Sequence, residues 1–255
     1  MEENLLMQGE RMDEIGFGNL KLIQKPEEFC YGVDAVILAD FASKAVQRNG
    51  SRYKRAMDLG TGTGIIPLIL SHKTLLEEIY AVEVQPDSFN RACRNIQLNK
   101  LQGRISIINE DVSKIEVNLS DLEGSFDLVT ANPPYMIGGA GLINENKAKR
   151  IARHETTADL AAFIRASAVL LREKGELFMV HRPSRLVDIC EACRKYKIEP
   201  KELRFVSPNK NAKPNILLIH CVKSGGPELK MLDPLYVYED NGNSYTDELM
   251  KIYER

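Results

Sequence analysis

The sequence predicts an α/β fold in which a mostly parallel sheet is wrapped by helices. From Arg55 onward, short apolar runs rich in β-branched residues alternate with longer stretches of helical periodicity. The length of 255 residues fits one large α/β core with extensions. Hydrophobic residues at 44% and charged residues at 27% give the balance of an ordinary folded domain, not of a disordered or fibrous chain.

Each strand is predicted from a short β-branched run, and each helix from apolar residues at helical spacing. The predicted strands lie at 20–24, 55–59, 78–84, 104–108, 126–131, 175–181 and 215–223. The predicted helices lie at 34–46, 64–72, 87–100, 157–173 and 183–197, and a short element follows Asp111. The regular alternation from 55 to 131 predicts parallel strands joined by helical crossovers.

The ends of three helices are predicted from their flanking residues. Gly32 supplies a turn before the first helix, and Asp34 is the expected N-cap. Pro86 suits the opening turn of the helix at 87–100. Gly175 is expected to stop the helix at 157–173, because glycine is the residue found most often just beyond a helix end.

The chain is predicted to have one main domain. Residues 1–50 form an N-terminal extension that packs on this domain, which spans 51–255. The segment 136–146 is rich in glycine and asparagine and is predicted to be a mobile loop.

Charge and hydropathy limit the possible partners. A formal net charge of −2 gives no global attraction for a polyanion, so a nucleic acid would need a local basic patch. The basic segments 147–153 and 201–213 are the candidates, although an ordinary solvated β-hairpin loop at 204–215 explains the second equally well. No apolar run approaches the roughly 20 residues that span a bilayer, and the acidic start is unlike a signal peptide. We therefore expect a cytoplasmic protein without a membrane partner.

Five cysteines, an odd number, predict reduced thiols rather than a disulfide framework. Cys190 and Cys193 form a CxxC pair within a predicted helix, but no second pair or nearby histidine completes a zinc site. We expect packed helix cysteines here and no metal.

A glycine-rich segment joins the first strand of the main domain to the following helix. Its glycines allow a sharp turn and a close approach of the backbone to a ligand. The candidate ligand-binding residues in it are Asp58, Gly60, Thr61, Gly62 and Gly64. The alternative is a plain strand-to-helix turn, but the position between a strand and a helix favours ligand binding.

Carboxylates lie at the end of the next predicted strand and shortly after the one that follows it. Glu83 lies 23 positions after Gly60, close to the spacing of about 20 expected for an acid that accepts from ribose hydroxyls. Asp111 follows the third strand, where a carboxylate could accept from an adenine amine or cap the next helix.

This order of Asp-x-Gly-x-Gly-x-Gly, strand-end Glu and strand-end Asp resembles the class I methyltransferases that bind S-adenosylmethionine. The resemblance implies a Rossmann-like fold with a mostly parallel seven-stranded sheet and helices on both faces. It also implies that the glycine loop lies under the methionine part of the cofactor, that Glu83 holds the ribose and that Asp111 holds the adenine.

The sequence Asn132-Pro133-Pro134-Tyr135 directly follows the fourth strand, at the sheet edge where open α/β sheets bind ligands. The Asn132 side-chain carbonyl and the Pro133 carbonyl could accept the two hydrogens of an amine, and Tyr135 could stack on a planar group. Two consecutive prolines restrict the backbone and hold these acceptors in position. A rigid loop or a ligand of a WW domain is the alternative interpretation.

Two such acceptors suit methyl transfer to an aromatic amine. The lone pair of such an amine is delocalised, and acceptors on its hydrogens favour the pyramidal nitrogen that attacks a sulfonium methyl. The motif resembles that of amino-group methyltransferases acting on adenine N6, cytosine N4, guanine N2 or glutamine amides. These residues therefore indicate the reaction but not the substrate.

Within that set, the chain most resembles the bacterial tRNA(Val) adenine-37 N6-methyltransferase family. The motifs that carry this resemblance are 31–35, 58–64, 132–135, 152–155 and 243–246. It implies a tRNA anticodon-loop substrate, and it implies by analogy that Gly32 and Asp34 lie near the methionine end of the cofactor.

Four other functions remain open from the sequence. A protein glutamine N5-methyltransferase would need a helical N-terminal domain for which this chain has little room. Methylation of guanine N2 in rRNA, or of adenine in DNA, is compatible with the same motif. A non-catalytic RNA-binding protein could retain the fold, but an intact Asn132 and a complete cofactor loop argue against it.

Overall fold

The structure is a computed structural model that describes residues 5–28, 30–134, 160–240, 242 and 244–255. Its strands are β1 Arg11–Glu14, β2 Lys21–Gln24, β3 Arg55–Leu59, β4 Glu78–Glu83, β5 Ile105–Asn109, β6 Phe126–Ala131, β7 Leu171–His181, β8 Ile198–Ser207, β9 Ile216–Lys223, β10 Lys230–Met231 and β11 Leu235–Tyr236. Its α-helices are α1 Val33–Asn49, α2 Ile65–Lys73, α3 Pro86–Leu98, α4 Ile115–Asn118, α5 Leu160–Leu170, α6 Leu186–Lys195 and α7 Asp247–Ile252.

Most of these strands form one central sheet. Its strand order is β10-β8-β9-β7-β6-β3-β4-β5, and β11 also pairs with β8. The pairs β3–β4, β4–β5, β3–β6 and β6–β7 are parallel, whereas β9 runs antiparallel to both β7 and β8. Seven strands of four or more residues make up this sheet in the described part of the chain, with β10 and β11 as two-residue additions. The predicted mostly parallel, seven-stranded Rossmann-like sheet is confirmed.

The strand order reverses between β3 and β6. The chain passes from β3 to β4 and β5 on one side, then crosses back to place β6 on the other side of β3. Loops that leave the carboxyl ends of β3 and β6 therefore diverge above and below the sheet and leave a crevice between them. In open α/β sheets this crevice is the usual binding site.

The apolar core lies on both faces of the sheet, because successive side chains of a strand point to opposite sides. In β3, Ala56 packs in the cluster that contains α1 and α2, whereas Met57 packs in the cluster that contains α5 and α6. The helices thus cover both faces, as predicted.

The prediction missed β8 and treated its last residues as part of a loop at 204–215. The structure continues the strand to Ser207, and the loop begins at Pro208. Pro200 and the charged residues around it obscured the strand pattern. The pairing of β8 with β9 shifts register between Pro200 and Glu202, and a bulge is one of the few places where a sheet accepts proline.

The predicted end of the helix at 157–173 was wrong. Helix α5 ends at Leu170, and β7 begins at the next residue; the first predicted residues, 157–159, lie outside the described residues. Gly175 does not stop the helix but lies within β7, where a Cβ would come 2.9 Å from the carbonyl oxygen of Arg172. Glycine is therefore required here by a tight backbone bend.

The predicted N-cap of α1 was also wrong. The N-cap position is Gly32, which makes no side-chain capping bond, and Asp34 lies in the first turn. The Oδ1 atom of Asp34 accepts a hydrogen bond from the backbone N of Ala35 at 2.9 Å. None of the described helices is long and apolar enough to cross a bilayer.

Candidate functional site

The loop after β3 is held in left-handed turns. The φ angles of Gly60, Gly62 and Gly64 are +70°, +59° and +86°, a region that other residues adopt only with strain. The backbone N of Thr61 donates to the carbonyl oxygen of Val82 at 2.9 Å, which anchors the loop to β4. A Cβ built on Gly62 would meet no atom within 4 Å. The loop is thus anchored to β4 and leaves open space beside Gly62 at its centre.

Glu83, the last residue of β4, points into this loop. Its Oε2 accepts from the backbone N of Gly62 and its Oε1 from that of Gln85, each at 2.8 Å. Only 5% of Glu83 is exposed, and burial raises the pKa of its carboxyl. Each carboxylate oxygen keeps a second lone pair, so the group can still accept hydroxyl hydrogens.

Asp58 is buried at the base of the same loop. Its Oδ1 accepts a 2.6 Å hydrogen bond from the hydroxyl of Thr130 on β6. Burial raises the pKa of Asp58 to about 7, an effect opposed by the hydroxyls of Thr130 and Thr61 and increased by the charge of Glu83. This carboxyl therefore titrates near neutral pH.

The residues after β6 lie beside the glycine loop. Leu59 and Ala131 are register partners, so the residues that follow them, Gly60 and Asn132, leave adjacent strand ends. Asn132 is half-buried, and Pro133 is buried. Tyr135 lies outside the described residues, so the stacking role predicted for it stays a prediction.

Asp111 follows β5, the neighbour of β4. Its Oδ1 accepts from the backbone N of Ser113 at 2.8 Å and caps the short turn Val112–Lys114. The structure therefore shows Asp111 in the helix-capping role that the sequence left open. A cap uses one acceptor position and leaves the carboxylate able to accept from an amine as well.

Gly32 and Asp34 form a close local pair at the start of α1. A Cβ on Gly32 would lie 2.7 Å from Oδ1 of Asp34, so the carboxylate occupies space that only glycine leaves free. Asp34 is buried, and α1 packs against β6 and β7. The sequence explained Gly32 by a turn, whereas the structure explains it by this close approach.

Three residues of the site region were missed by the sequence analysis: Thr130, Asn95 and Phe163. Phe163 on α5 covers the glycine loop, since a Cβ on Gly60 would come 3.2 Å from its ring. A polar residue within the apolar run of β6 was the available signal for Thr130. Asn95 lies among the buried residues of α3, and its position on the apolar face was the corresponding signal.

The structure describes only the second of the two predicted basic segments. Residues 147–153 lie outside the described residues. In the second segment, Lys201 is bound to the carbonyl oxygens of Gly226 and Pro227, and Arg204 pairs with Glu248. Lys210 and Lys213 are exposed and form no ion pair with any residue that the structure describes.

Lys210 and Lys213 are placed at the same sheet edge as Asn132. They lie between β8 and β9, and β8 is parallel to β7 because both strands run antiparallel to β9. Their loop therefore leaves the sheet on the side where β6 ends.

The CxxC cysteines pack within the fold. Cys190 is half-buried, and Cys193 is buried with its Sγ 3.8 Å from that of Cys221. Within 5–28, 30–134 and 160–240, no group of histidine, cysteine and carboxylate side chains is arranged to hold a metal ion.

Comparisons with known proteins agree with this architecture. A family model described as methyltransferase small domain matches residues 20–186. A tRNA1(Val) (adenine(37)-N6)-methyltransferase of Parabacteroides distasonis is 28% identical over 221 residues, which cover 87% of this chain and 87% of that relative.

Two solved structures show the same fold. A predicted O-methyltransferase from Agrobacterium tumefaciens aligns with a TM-score of 0.68 at 20% identity, covering 87% of this chain and 95% of that one. TYW2 of M. jannaschii, solved in complex with AdoMet, aligns with a TM-score of 0.55 at 14% identity, covering 85% and 86%.

Proposed function

Because the chain belongs to the methyltransferase small domain family, we propose that it methylates the N6 amine of adenine 37 in a tRNA, using S-adenosylmethionine. The observation that carries this proposal is the adjacency of the glycine loop and Asn132. They follow the paired neighbouring strands β3 and β6, at the point where the strand order reverses. A methyl donor on the glycine loop and an amine held by Asn132 would therefore meet.

The residues around the glycine loop fit the cofactor. The left-handed turns at Gly60 and Gly62 present the backbone without a Cβ, and the space at Gly62 is open. Glu83 offers buried acceptors for the ribose hydroxyls, and Asp111 offers an acceptor for the adenine amine. S-adenosylmethionine, when bound, supplies an electrophilic methyl group on a sulfonium.

Asn132 and Pro133 would hold the amine that is methylated. The Asn132 side-chain carbonyl takes one amine hydrogen, and the Pro133 carbonyl takes the other. The two prolines limit backbone freedom, so little ordering entropy is lost when the amine binds. Holding both hydrogens localises the nitrogen lone pair and stabilises the transition state more than the ground state.

The proton of the methylated amine needs no strong base. The amine becomes acidic once the methyl group has been added, and its proton leaves to solvent at the open edge of the sheet. Tyr135, which the sequence places next to these acceptors, is proposed to stack on the adenine ring.

An unpaired adenine suits this geometry better than a stacked one. A base in a duplex cannot reach an acceptor at the strand edge without leaving the stack, which costs a few kcal/mol. An anticodon-loop adenine is already partly splayed and costs less to extract. Lys210 and Lys213 are exposed at the same edge and would contact backbone phosphates.

Transfer of labelled methyl from S-adenosylmethionine to unmodified tRNA, followed by nucleoside digestion, tests the proposal. We expect label in N6-methyladenosine at position 37 and none in tRNA that is already modified there. Label in N2-methylguanosine or in glutamine of a protein substrate would overturn the adenine assignment and retain the amine chemistry. No binding of S-adenosylmethionine in calorimetry would instead favour a non-catalytic RNA-binding protein.

The acidic chain has no described helix able to span a bilayer, and a tRNA substrate would be met in the cytoplasm. We therefore propose that compartment as its place of action.

A further inference from the structure

Two asparagines complete the free edge of β2: Asn95 of α3, and Asn99, the residue that caps the C-terminal end of α3. The Oδ1 atom of Asn99 accepts from the backbone N of Lys21, and its Nδ2 donates to the carbonyl oxygen of Lys21. Asn95 binds the backbone N and O of Ile23 in the same way. The spacing of two residues on a strand edge thus matches the spacing of four on a helix face. These side-chain amides replace a neighbouring strand and bind the hairpin formed by β1 and β2 to α3.

Asn95 makes one contact that Asn99 does not. Its Nδ2 also donates to the carbonyl oxygen of Thr63 at 2.9 Å, and Asn95 is completely buried. Thr63 belongs to the glycine loop and precedes Gly64, which adopts a left-handed conformation at the start of α2. The corresponding second bond of Asn99 goes to the backbone of α3, at the carbonyl oxygen of Asn95.

No other residue type of this size satisfies the three buried backbone groups around Asn95. Its carbonyl accepts one N–H, and its two amide hydrogens reach two carbonyl oxygens. An aspartate could accept from Ile23, but it has no hydrogen for either carbonyl and would place negative charge against both. Leaving buried carbonyl groups without donors is costly, so the loop would move away from this position.

We propose that Asn95 is a positioning residue that fixes the glycine loop for cofactor binding and links the loop to the N-terminal hairpin, whereas Asn99 only anchors the hairpin. This inference rests on the proposed function, because it assigns S-adenosylmethionine to that loop. Cofactor on the loop restrains Thr63, which holds Asn95 in place, and Asn95 in turn holds Ile23. Cofactor binding to the glycine loop is therefore energetically coupled to the position of Ile23 in β2.

Matched substitutions test the assignment. We expect Asn95→Asp to weaken S-adenosylmethionine binding in calorimetry by about tenfold, the usual effect of losing a buried hydrogen bond. Asn99→Asp, which damages the same hairpin but not the loop, should change the affinity by less than about twofold. Equal losses in both variants would overturn the inference, because they would show that the hairpin alone matters.

A second measurement uses the unaltered protein and does not depend on a variant that folds. Addition of S-adenosylmethionine should slow amide hydrogen exchange at Ile23 by a larger factor than at Lys21. Equal slowing at the two amides, or none, would overturn the inference. If the unaltered protein does not bind S-adenosylmethionine at all, the proposed function fails. Binding without the difference between Ile23 and Lys21 contradicts only the role of Asn95.

Discussion

The hydroxyl of Thr130 donates a 2.6 Å hydrogen bond to Oδ1 of Asp58 and joins the two strands from which the site loops emerge. The two residues are register partners of β6 and β3. Asp58 begins the glycine segment, and Thr130 precedes Asn132 by two positions. Because both side chains are buried, this bond fixes the position of the glycine loop relative to residues 132–134.

Asp58→Asn should remove a pH dependence of stability. Burial raises the pKa of Asp58 from an ordinary value of 3.8 to about 7, so the folded state retains a proton that the unfolded chain releases. The free energy of unfolding in the unaltered protein should therefore fall as the pH rises from about 4 to about 7, by an amount on the order of 4 kcal/mol. Urea unfolding at pH 4 and pH 7.5 measures this fall.

The comparison between the two proteins isolates Asp58 from other titrating groups. The variant should lose less stability across this range than the unaltered protein. Thr130→Val should have the opposite effect, because it removes a donor that favours the ionised carboxylate and so raises the pKa of Asp58 further. An identical pH dependence in Asp58→Asn and the unaltered protein would show that Asp58 is ionised in the fold throughout.

Glu83→Ala should weaken S-adenosylmethionine binding by about 1 to 3 kcal/mol, as expected when hydrogen bonds to a charged group are lost. The side chain is buried and already accepts from the backbone of the glycine loop. Glu78→Ala is the matched control, since Glu78 lies at the opposite end of β4 and pairs with Arg55. Calorimetry checks both variants, and unchanged affinity in Glu83→Ala would exclude this residue from the site.

Asn132→Ala should lower kcat by about 10² to 10³-fold while cofactor affinity is retained, because an acceptor used in the transition state is lost. Asn118→Ala, an exposed asparagine bonded to Glu110, should turn over normally. Methyl transfer to tRNA under saturating cofactor measures the difference. A change in KM alone would assign Asn132 to binding rather than to catalysis.

Tyr135 gives a related prediction that rests on the sequence. Tyr135→Ala should mainly raise the KM for tRNA, whereas Tyr135→Phe should retain most activity, because stacking requires the ring more than the hydroxyl. Steady-state kinetics of the two variants separates stacking from hydrogen bonding. Loss of activity in Tyr135→Phe would indicate that the hydroxyl takes part.

Gly32→Ala should weaken cofactor binding, because its Cβ would lie 2.7 Å from Oδ1 of Asp34 and force that carboxylate to rotate. The rotation would also break the bond to the backbone N of Ala35. Gly103→Ala is the control, since a Cβ there meets no atom within 4 Å. Calorimetric titration of both variants measures the effect, and equal affinities would place Asp34 outside the cofactor site.

Reversing Lys210 and Lys213 to glutamate should lower tRNA affinity and reduce the slope of log K against log salt by about 1 to 2. Both lysines are exposed at the edge where β6 ends. The same reversal at Lys54 and Lys195, which are exposed beside the amino ends of β3 and β8, is the control. Filter binding across a salt series measures the slope, and an unchanged slope would mean that tRNA docks elsewhere.

The sequence by itself determined the positions along the chain of six of the seven longer strands of the central sheet, and those of the main motifs, whereas the order of the strands within the sheet came from the structure. Predicted bounds of β3 and β6 match the structure, because continuous apolar runs between turn residues mark buried parallel strands. The glycine segment and Asn132 are recognisable for the same local reason: each follows such a run directly. Boundaries failed where a local rule was overridden, as at Gly175 and at Pro200, where backbone contacts and a bulge between distant segments decided the geometry.

Only the tertiary structure brought Asn95 to Thr63 and Thr130 to Asp58. These contacts join residues 32 and 72 positions apart, and no periodicity in the chain encodes such a pairing. The partners of Lys201 and Arg204 could not be predicted from the sequence either. In the structure Lys201 binds the carbonyl oxygen of Pro227, and Arg204 pairs with Glu248. Buried hydrogen bonds depend on which groups lose water together, and that is decided by packing rather than by neighbours in sequence.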